Sequence, residues 1–268
     1  MDLTQKHSRR NMLKTGLAAA TAAALPTPGA KAQQRGGIHE EWTPKKPGTI
    51  RISAITGEGD RERNGLYSIT SHLPNADFWW ARNTRPITPE MLHNTDLLLT
   101  YYSGYLYSDE NVEIIIDDIT NRGMAWIMIH NTPWFCGDKL NAFTNAYPML
   151  HREIQPVIIR NLNQEHPITK GIEPFIIQLD EQFGAYIADP DDPNFTLLFK
   201  SQGVHDQHIT IQGWCVQRGK GRIVGLTPGH YEWTWYQVQY QEIVWRAAQW
   251  ALNLPIEPFY GNFDNFIW

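Results

Sequence analysis

Three segments of this chain each carry an apolar run onto groups able to bind or move a proton. Met124 to Ile129 delivers His130 and Asn131, and Ile176-Ile177-Gln178-Leu179 is followed by Asp180 and Glu181. Ile223 to Leu226 leads through Thr227-Pro228-Gly229 to His230. An imidazole titrates near neutrality, and a carboxylate opposite it is the usual apparatus for moving protons at carbon or oxygen. If the three segments meet, His130, Glu181 and His230 are the candidate catalytic residues. The same trio is the ligand set for a divalent metal, should one bind. Burial of Glu181 would raise its pKa and suit it to act as an acid; pairing with either histidine would keep it a base. Asn131 and Asp180 are candidates for binding substrate hydroxyls. Trp134 and Trp233, each a few residues past a histidine, either stack on a ligand or pack the protein. The plainer alternatives are a hydrogen-bonded structural role for each histidine and, for Asp180-Glu181, the cap of a helix over residues 182–187.

Positioning three distant segments requires a sheet. Thr49 to Thr56 alternates around Ile50, Ile52 and Ile55 and reads as a first strand; Asp96 to Tyr102 is a continuous apolar run, as expected of a strand covered on both faces. Between that run and Met124, Ser108 is an N-cap, Asp109 and Glu110 fill a first turn, and Val112, Ile115, Ile116 and Ile119 share one helical face that closes at Arg122-Gly123. Residues 63–73 can form a helix, and Gln237 to Leu254 forms the closing one. Strand, helix and strand in alternation predict an α/β fold with a mostly parallel, doubly wound sheet and helices on both faces. Ligands of such sheets gather beyond the carboxyl ends of the strands, where His130 and His230 fall. After Gln155 the pattern changes to shorter strands, at Pro156 to Ile159, Phe175 to Leu179, Phe195 to Phe199 and Ile209 to Val216.

The first 32 residues read as an address. Ser8-Arg9-Arg10-Asn11-Met12-Leu13-Lys14 is a twin-arginine pattern, Thr15 to Leu25 is Ala-rich and too short to span a bilayer, and Ala30-Lys31-Ala32 supplies a cleavage pattern. The expected organisation is a signal peptide over 1–32, an arm over 33–48, one α/β domain over 49–255 and an aromatic tail over 256–268. The tail either covers a pocket or joins two copies of the chain. The net charge of −5 becomes more negative once Lys6, Arg9, Arg10, Lys14 and Lys31 leave with Asp2. Nucleic acid is therefore excluded as a partner, since phosphates demand a basic face. Cys136 and Cys215 could form one bridge in an oxidising compartment.

No G-x-S-x-G elbow, H-E-x-x-H helix, phosphate loop or dinucleotide fingerprint occurs. His205-Asp206-Gln207-His208 resembles a metal pair but sits in a Gly- and Gln-rich loop and reads as solvated. Taken together, His130, His166-Pro167-Ile168-Thr169-Lys170-Gly171-Ile172, Asp180-Glu181-Gln182-Phe183 and Gly219-Lys220-Gly221-Arg222 running to Pro228-Gly229-His230 resemble the trehalose-utilisation (ThuA-like) family. That resemblance implies a flavodoxin-like fold similar to class I glutamine amidotransferases but without their cysteine nucleophile. It also implies carbohydrate metabolism, with keto-sugars or 3-keto-glycosides as substrates and a sugar oxidoreductase as a partner. Relatives often carry histidine where this chain has Gly57-Glu58-Gly59-Asp60, and some have Gly-His where it has Tyr101-Tyr102-Ser103-Gly104-Tyr105. The expected activity is acid–base isomerisation, elimination or hydrolysis of such a sugar in the periplasm. The alternative is a non-catalytic sugar-binding or accessory subunit of a dehydrogenase.

Overall fold

Strand β1 (Ile50–Thr56) lies between β2 (Ala76–Arg82) and β3 (Leu97–Tyr101), and β4 (Ala125–Ile129) and β9 (Gly221–Leu226) continue the row, all five parallel. The computed structural model describes residues 42–57, 60–82, 87–101 and 107–259. The twin-arginine segment, Glu58-Gly59, Tyr102 to Tyr105 and the tail beyond 259 lie outside them. Helices α1 (Asp60–Thr70), α2 (Pro89–His93) and α3 (Asp109–Asp117) make the crossovers that parallel strands require. Two hydrophobic clusters flank this row. Ala125, Ile127 and Ile129 of β4 enter one, with Leu66 and Ile69 of α1 and Val244 and Ala248 of α7 (Val238–Ala251). Trp126 and Met128 enter the other, with Met91, Ile115 and, past the short α4 (Thr132–Phe135), Leu140 of α5 (Gly137–Thr144). The alternation follows from the two-residue period of a strand. Ser108 caps α3 by accepting from Asn111 N at 3.2 Å, and the helix ends through a π turn, Asp118–Arg122, at Gly123 with φ +90°.

The expectation of a mostly parallel, doubly wound, flavodoxin-like sheet is overturned. Antiparallel pairing predominates. Strands β5 (Ala146–Arg160), β6 (Phe175–Ile187), β7 (Phe195–Gly203) and β8 (Ile209–Arg218) pair antiparallel throughout, and β8 joins the parallel row through β9. Because β8 pairs with β6, β6 with β5, β5 with β7 and β7 again with β8, the four close into a barrel-like ring. The cause is legible in the connections. A parallel return needs a crossover of a dozen or more residues, generally a helix, whereas no helix separates β5 from β6, β6 from β7, β7 from β8 or β8 from β9. The last link is a two-residue turn, Gly219-Lys220, with Gly219 at φ +58°. A Cβ there would stand 2.3 Å from Thr120 O, so only glycine fits.

A local expectation fails with it. Asp180 and Glu181 do not follow a strand, nor do they cap a helix over 182–187; β6 runs straight through them. The two cysteines are free and buried, Cys215 in the first hydrophobic cluster and Cys136 in the second. The sheet separates them. Among the described residues no helix is long and apolar enough to cross a membrane.

Candidate active site

His130 takes the first position after β4 with φ +54°, a left-handed backbone conformation uncommon for a residue with a side chain. Its N–H still donates to Leu226 O at 2.9 Å, so the strand pairing holds the kink in place. That turn aims the ring across the sheet, where Nδ1 lies 3.0 Å from Thr227 O. A carbonyl only accepts, so Nδ1 carries a proton, and whenever the ring is neutral its Nε2 presents a lone pair. Nε2 then faces His230 Nδ1 at 3.1 Å and Glu181 Oε2 at 3.6 Å, and His230 Nδ1 is 3.0 Å from the same Oε2. The three segments singled out by sequence therefore converge.

Asp180 explains how His230 reaches this point. The carboxylate is fully buried, and its four close partners are all within the protein. Oδ2 accepts from Gly229 N at 2.9 Å and Thr234 Oγ1 at 2.8 Å; Oδ1 accepts from His230 N and Glu181 N, each at 2.9 Å. Asp180 thus pins the loop after β9, and α6 (Glu232–Tyr236) beyond it, onto β6. Burial raises its pKa; the charge of His130 and the hydrogen bonds from Glu181, Gly229 and Thr234 act the other way. Glu181 goes in the opposite direction. Its partial burial would raise the pKa, but hydrogen bonds and charge from His130 and His230 outweigh this and hold the carboxyl well below the usual carboxylate range. Glu181 is ionised at neutral pH.

A third imidazole completes the group. His151, on β5, places Nε2 3.3 Å from Glu181 Oε2, and nearly half of its side chain is exposed. Its ring lies on Phe183 at 4.4 Å and 18°, and Phe183 meets His130 edge-on at 4.6 Å. Tyr101 stacks on the other side of His130 at 5.2 Å and 18°. Neither His151 nor Phe183 was among the sequence candidates. His151 lies inside β5, behind Ala146 to Leu150 and not at a strand end, and the antiparallel register opposite Phe183 brings it in.

The remaining candidates divide. Asn131 is buried beside His130, and its Oδ1 has no hydrogen-bond partner among the described residues. Trp134 packs edge-on against Phe183 at 5.2 Å and His151 at 6.3 Å, and its Nε1 is likewise buried without a partner. Trp233 is half exposed on α6, and its ring meets Tyr236 at 6.4 Å instead of the imidazole group. His205 and His208 sit at the turn between β7 and β8 and do not belong to the trio's group of ligand atoms. His130, Glu181 and His230 form the one group of metal-ligand type among the described residues, with donor atoms within 4.8 Å of one another.

The family model for ThuA, trehalose utilisation, matches residues 58–251, which covers all three converging segments. The chain belongs to the ThuA family. A twin-arginine translocation signal matches residues 6–26 and marks this ThuA protein for export to the periplasm. Among solved structures, a ThuA-like protein from Parabacteroides merdae superposes with TM-score 0.63 at 13% identity, covering 79% of this chain and 93% of that one. One from Bacteroides uniformis gives 0.56 at 12%, covering 79% and 95%. Agd3, described as a carbohydrate deacetylase, gives 0.54 at 8%, covering 75% of this chain but 32% of its own. At such identities the likeness is one of fold. No curated protein matches the sequence.

Proposed function

We propose that this exported ThuA-family protein is a carbohydrate enzyme that moves protons on a keto-sugar or 3-keto-glycoside. The supporting observation is the meeting of His130 Nε2, His230 Nδ1 and Glu181 Oε2 within 3.0–3.6 Å. A ketone acidifies the adjoining C–H. His230, the more exposed of the two imidazoles, takes that proton at one ring nitrogen, and the bond's electron pair moves into an enediolate. Glu181, held ionised, stabilises the imidazolium as it forms, so its part is electrostatic and it does not act as the acid. Passage of the neighbouring hydroxyl proton to the enolate oxygen, with return of the first proton to the former carbonyl carbon, gives isomerisation. Transfer of that first proton to a departing alkoxide gives elimination, to which water can add. Asp180 serves as a positioning residue. Incubation with a 3-keto-glucoside in deuterated water tests the reading. Deuterium enters the sugar with wild-type protein; absence of both exchange and product overturns it.

A second reading rests on the same atoms. Two imidazole nitrogens and one carboxylate oxygen converge, and with Nδ1 of His130 committed to Thr227 O, one proton on His230 serves two acceptors. That donor set fits a divalent transition metal, which when bound would polarise a carbonyl or activate water. Elemental analysis of protein exported by its own leader separates the readings. The alternative of a non-catalytic partner for a sugar dehydrogenase predicts sugar affinity that falls in His130→Ala, with no turnover in either protein.

A further inference from the structure

The antiparallel ring buries polar side chains where a small barrel would ordinarily pack apolar ones. Gln182, Ser201 and Gln212 are 0% exposed and Thr210 4%. Gln182 Nε2 donates to Ser201 Oγ at 2.7 Å, and Gln212 Nε2 reaches Glu181 O at 3.4 Å. The other halves of these groups behave differently. Gln182 Oε1, Gln212 Oε1, Thr210 Oγ1 and Thr227 Oγ1 are buried with no hydrogen-bond partner among the described residues. They fall into two groups. Ser201 and Thr210 are paired in the β7–β8 register, and Gly184, two residues beyond Gln182, has no side chain: a Cβ there would stand 2.2 Å from Thr210 Oγ1. Thr227 N donates to Gln212 O at 2.9 Å, which sets the second pair side by side.

Buried polar atoms in proteins almost always have a partner, and each unpaired one costs most of what its desolvation took. Four such oxygens on linked residues would consume a large share of the net stability of a domain. The groups are uncharged, and each unpaired pair combines an amide acceptor with a hydroxyl that can donate or accept. That is the chemistry of a water site, since an internal water makes two to four such bonds. We propose that ordered internal water lies at two places along the ring, one group bound by Gln182 Oε1 and Thr210 Oγ1, the other, between β8 and the loop after β9, by Gln212 Oε1 and Thr227 Oγ1. The second group lies behind the imidazoles. Thr227 O fixes the tautomer of His130, and Gln212 holds the backbone of Glu181. Water there braces both catalytic candidates from the side away from solvent. The inference does not depend on which reaction the site performs.

High-resolution crystallography of the exported chain, with magnetic relaxation dispersion to count long-lived waters in solution, tests this. Density is expected within hydrogen-bond distance of all four oxygens. The long-lived count falls by at least one in Thr210→Val and again in Thr227→Val, while Thr227→Ser retains it. The proposal is overturned if either group is dry, with the threonine hydroxyl bonded directly to its glutamine and the count unchanged in the variants. A metal-like peak with short contacts to five or more oxygens overturns it as well.

Discussion

His166 and the His130–His230 pair both stand in segments that mark the family, yet their surroundings give them opposite natures. His166 is half-buried, accepts from Ile168 N at 3.3 Å through Nδ1, faces Cys215 Sγ at 3.5 Å and packs edge-on against Trp250. Burial, together with the Arg222 guanidinium, pushes its pKa down to about 4, so it is a neutral strut at physiological pH. Among the described residues no carboxylate pairs with it. His130 and His230 share the Glu181 carboxylate, and one of them reaches solvent. What separates a structural from a chemical imidazole here is an anion within 4 Å and an opening, not the strength of the motif around it.

The sharpest way to break that contrast is to exchange the partners one at a time. Glu181→Gln removes the anion while keeping the shape, and exchange into a 3-keto-glucoside is expected to fall by about 10²–10⁴-fold. His166→Gln should leave the same assay within about twofold of wild type. Equal losses in the two variants would erase the distinction. His130→Asn refines it: asparagine tolerates positive φ, so stability should hold while exchange is lost, whereas His130→Ala should cost about 1–2 kcal/mol as well, read from Tm.

Next in size is Asp180→Ala. Three backbone N–H groups and Thr234 Oγ1 lose their acceptor together, so we expect destabilisation of about 3 kcal/mol or more. For a domain of this size that is a Tm drop on the order of 6–12 °C. A drop below about 2 °C would mean that the carboxylate is not what holds the loop after β9.

The smallest effects lie in pH. Glu181 has a folded pKa below its ordinary 4.5, so its contribution to stability is fully present above 4.5 and is lost as pH falls toward the folded value. His166 has a folded pKa of about 4 against 6.5, so between those values the unfolded chain binds the extra proton and stability declines as pH falls. His166→Gln should flatten the stability profile between pH 6.5 and 4, and Glu181→Gln should flatten it only below 4.5. A common window for both variants would contradict the assigned environments.

Much of the parallel row was legible because its strands are buried on both faces and so read as unbroken apolar runs. β3 and β4 stand within one residue of their expected bounds, and the Ser108-capped helix reaches Gly123 as expected, though its last stretch, Asp118–Arg122, is a π turn. β2 was missed, because its Asp77 looks like a loop residue until Arg51 meets it at 2.7 Å inside the sheet. The ring was read as short strands for a related reason. Polar residues at its centre, such as Asp180 and Gln182, interrupt apolar runs, though the backbone runs on through them. The histidines at strand ends could be nominated from one dimension. His151 also follows an apolar run, Ala146 to Leu150, but it sits mid-strand, and the pairing of β5 with β6 is what delivers it.

The placement of the two thiols has a practical consequence. Each is sealed in its own layer of packing, and burial pushes the Cys215 thiol up to about 12 and Cys136 higher still, so reactive thiolate is scarce at either. A chain so arranged reaches its native form without an oxidation step. It should tolerate reductant as well as it tolerates the oxidising space to which its leader delivers it.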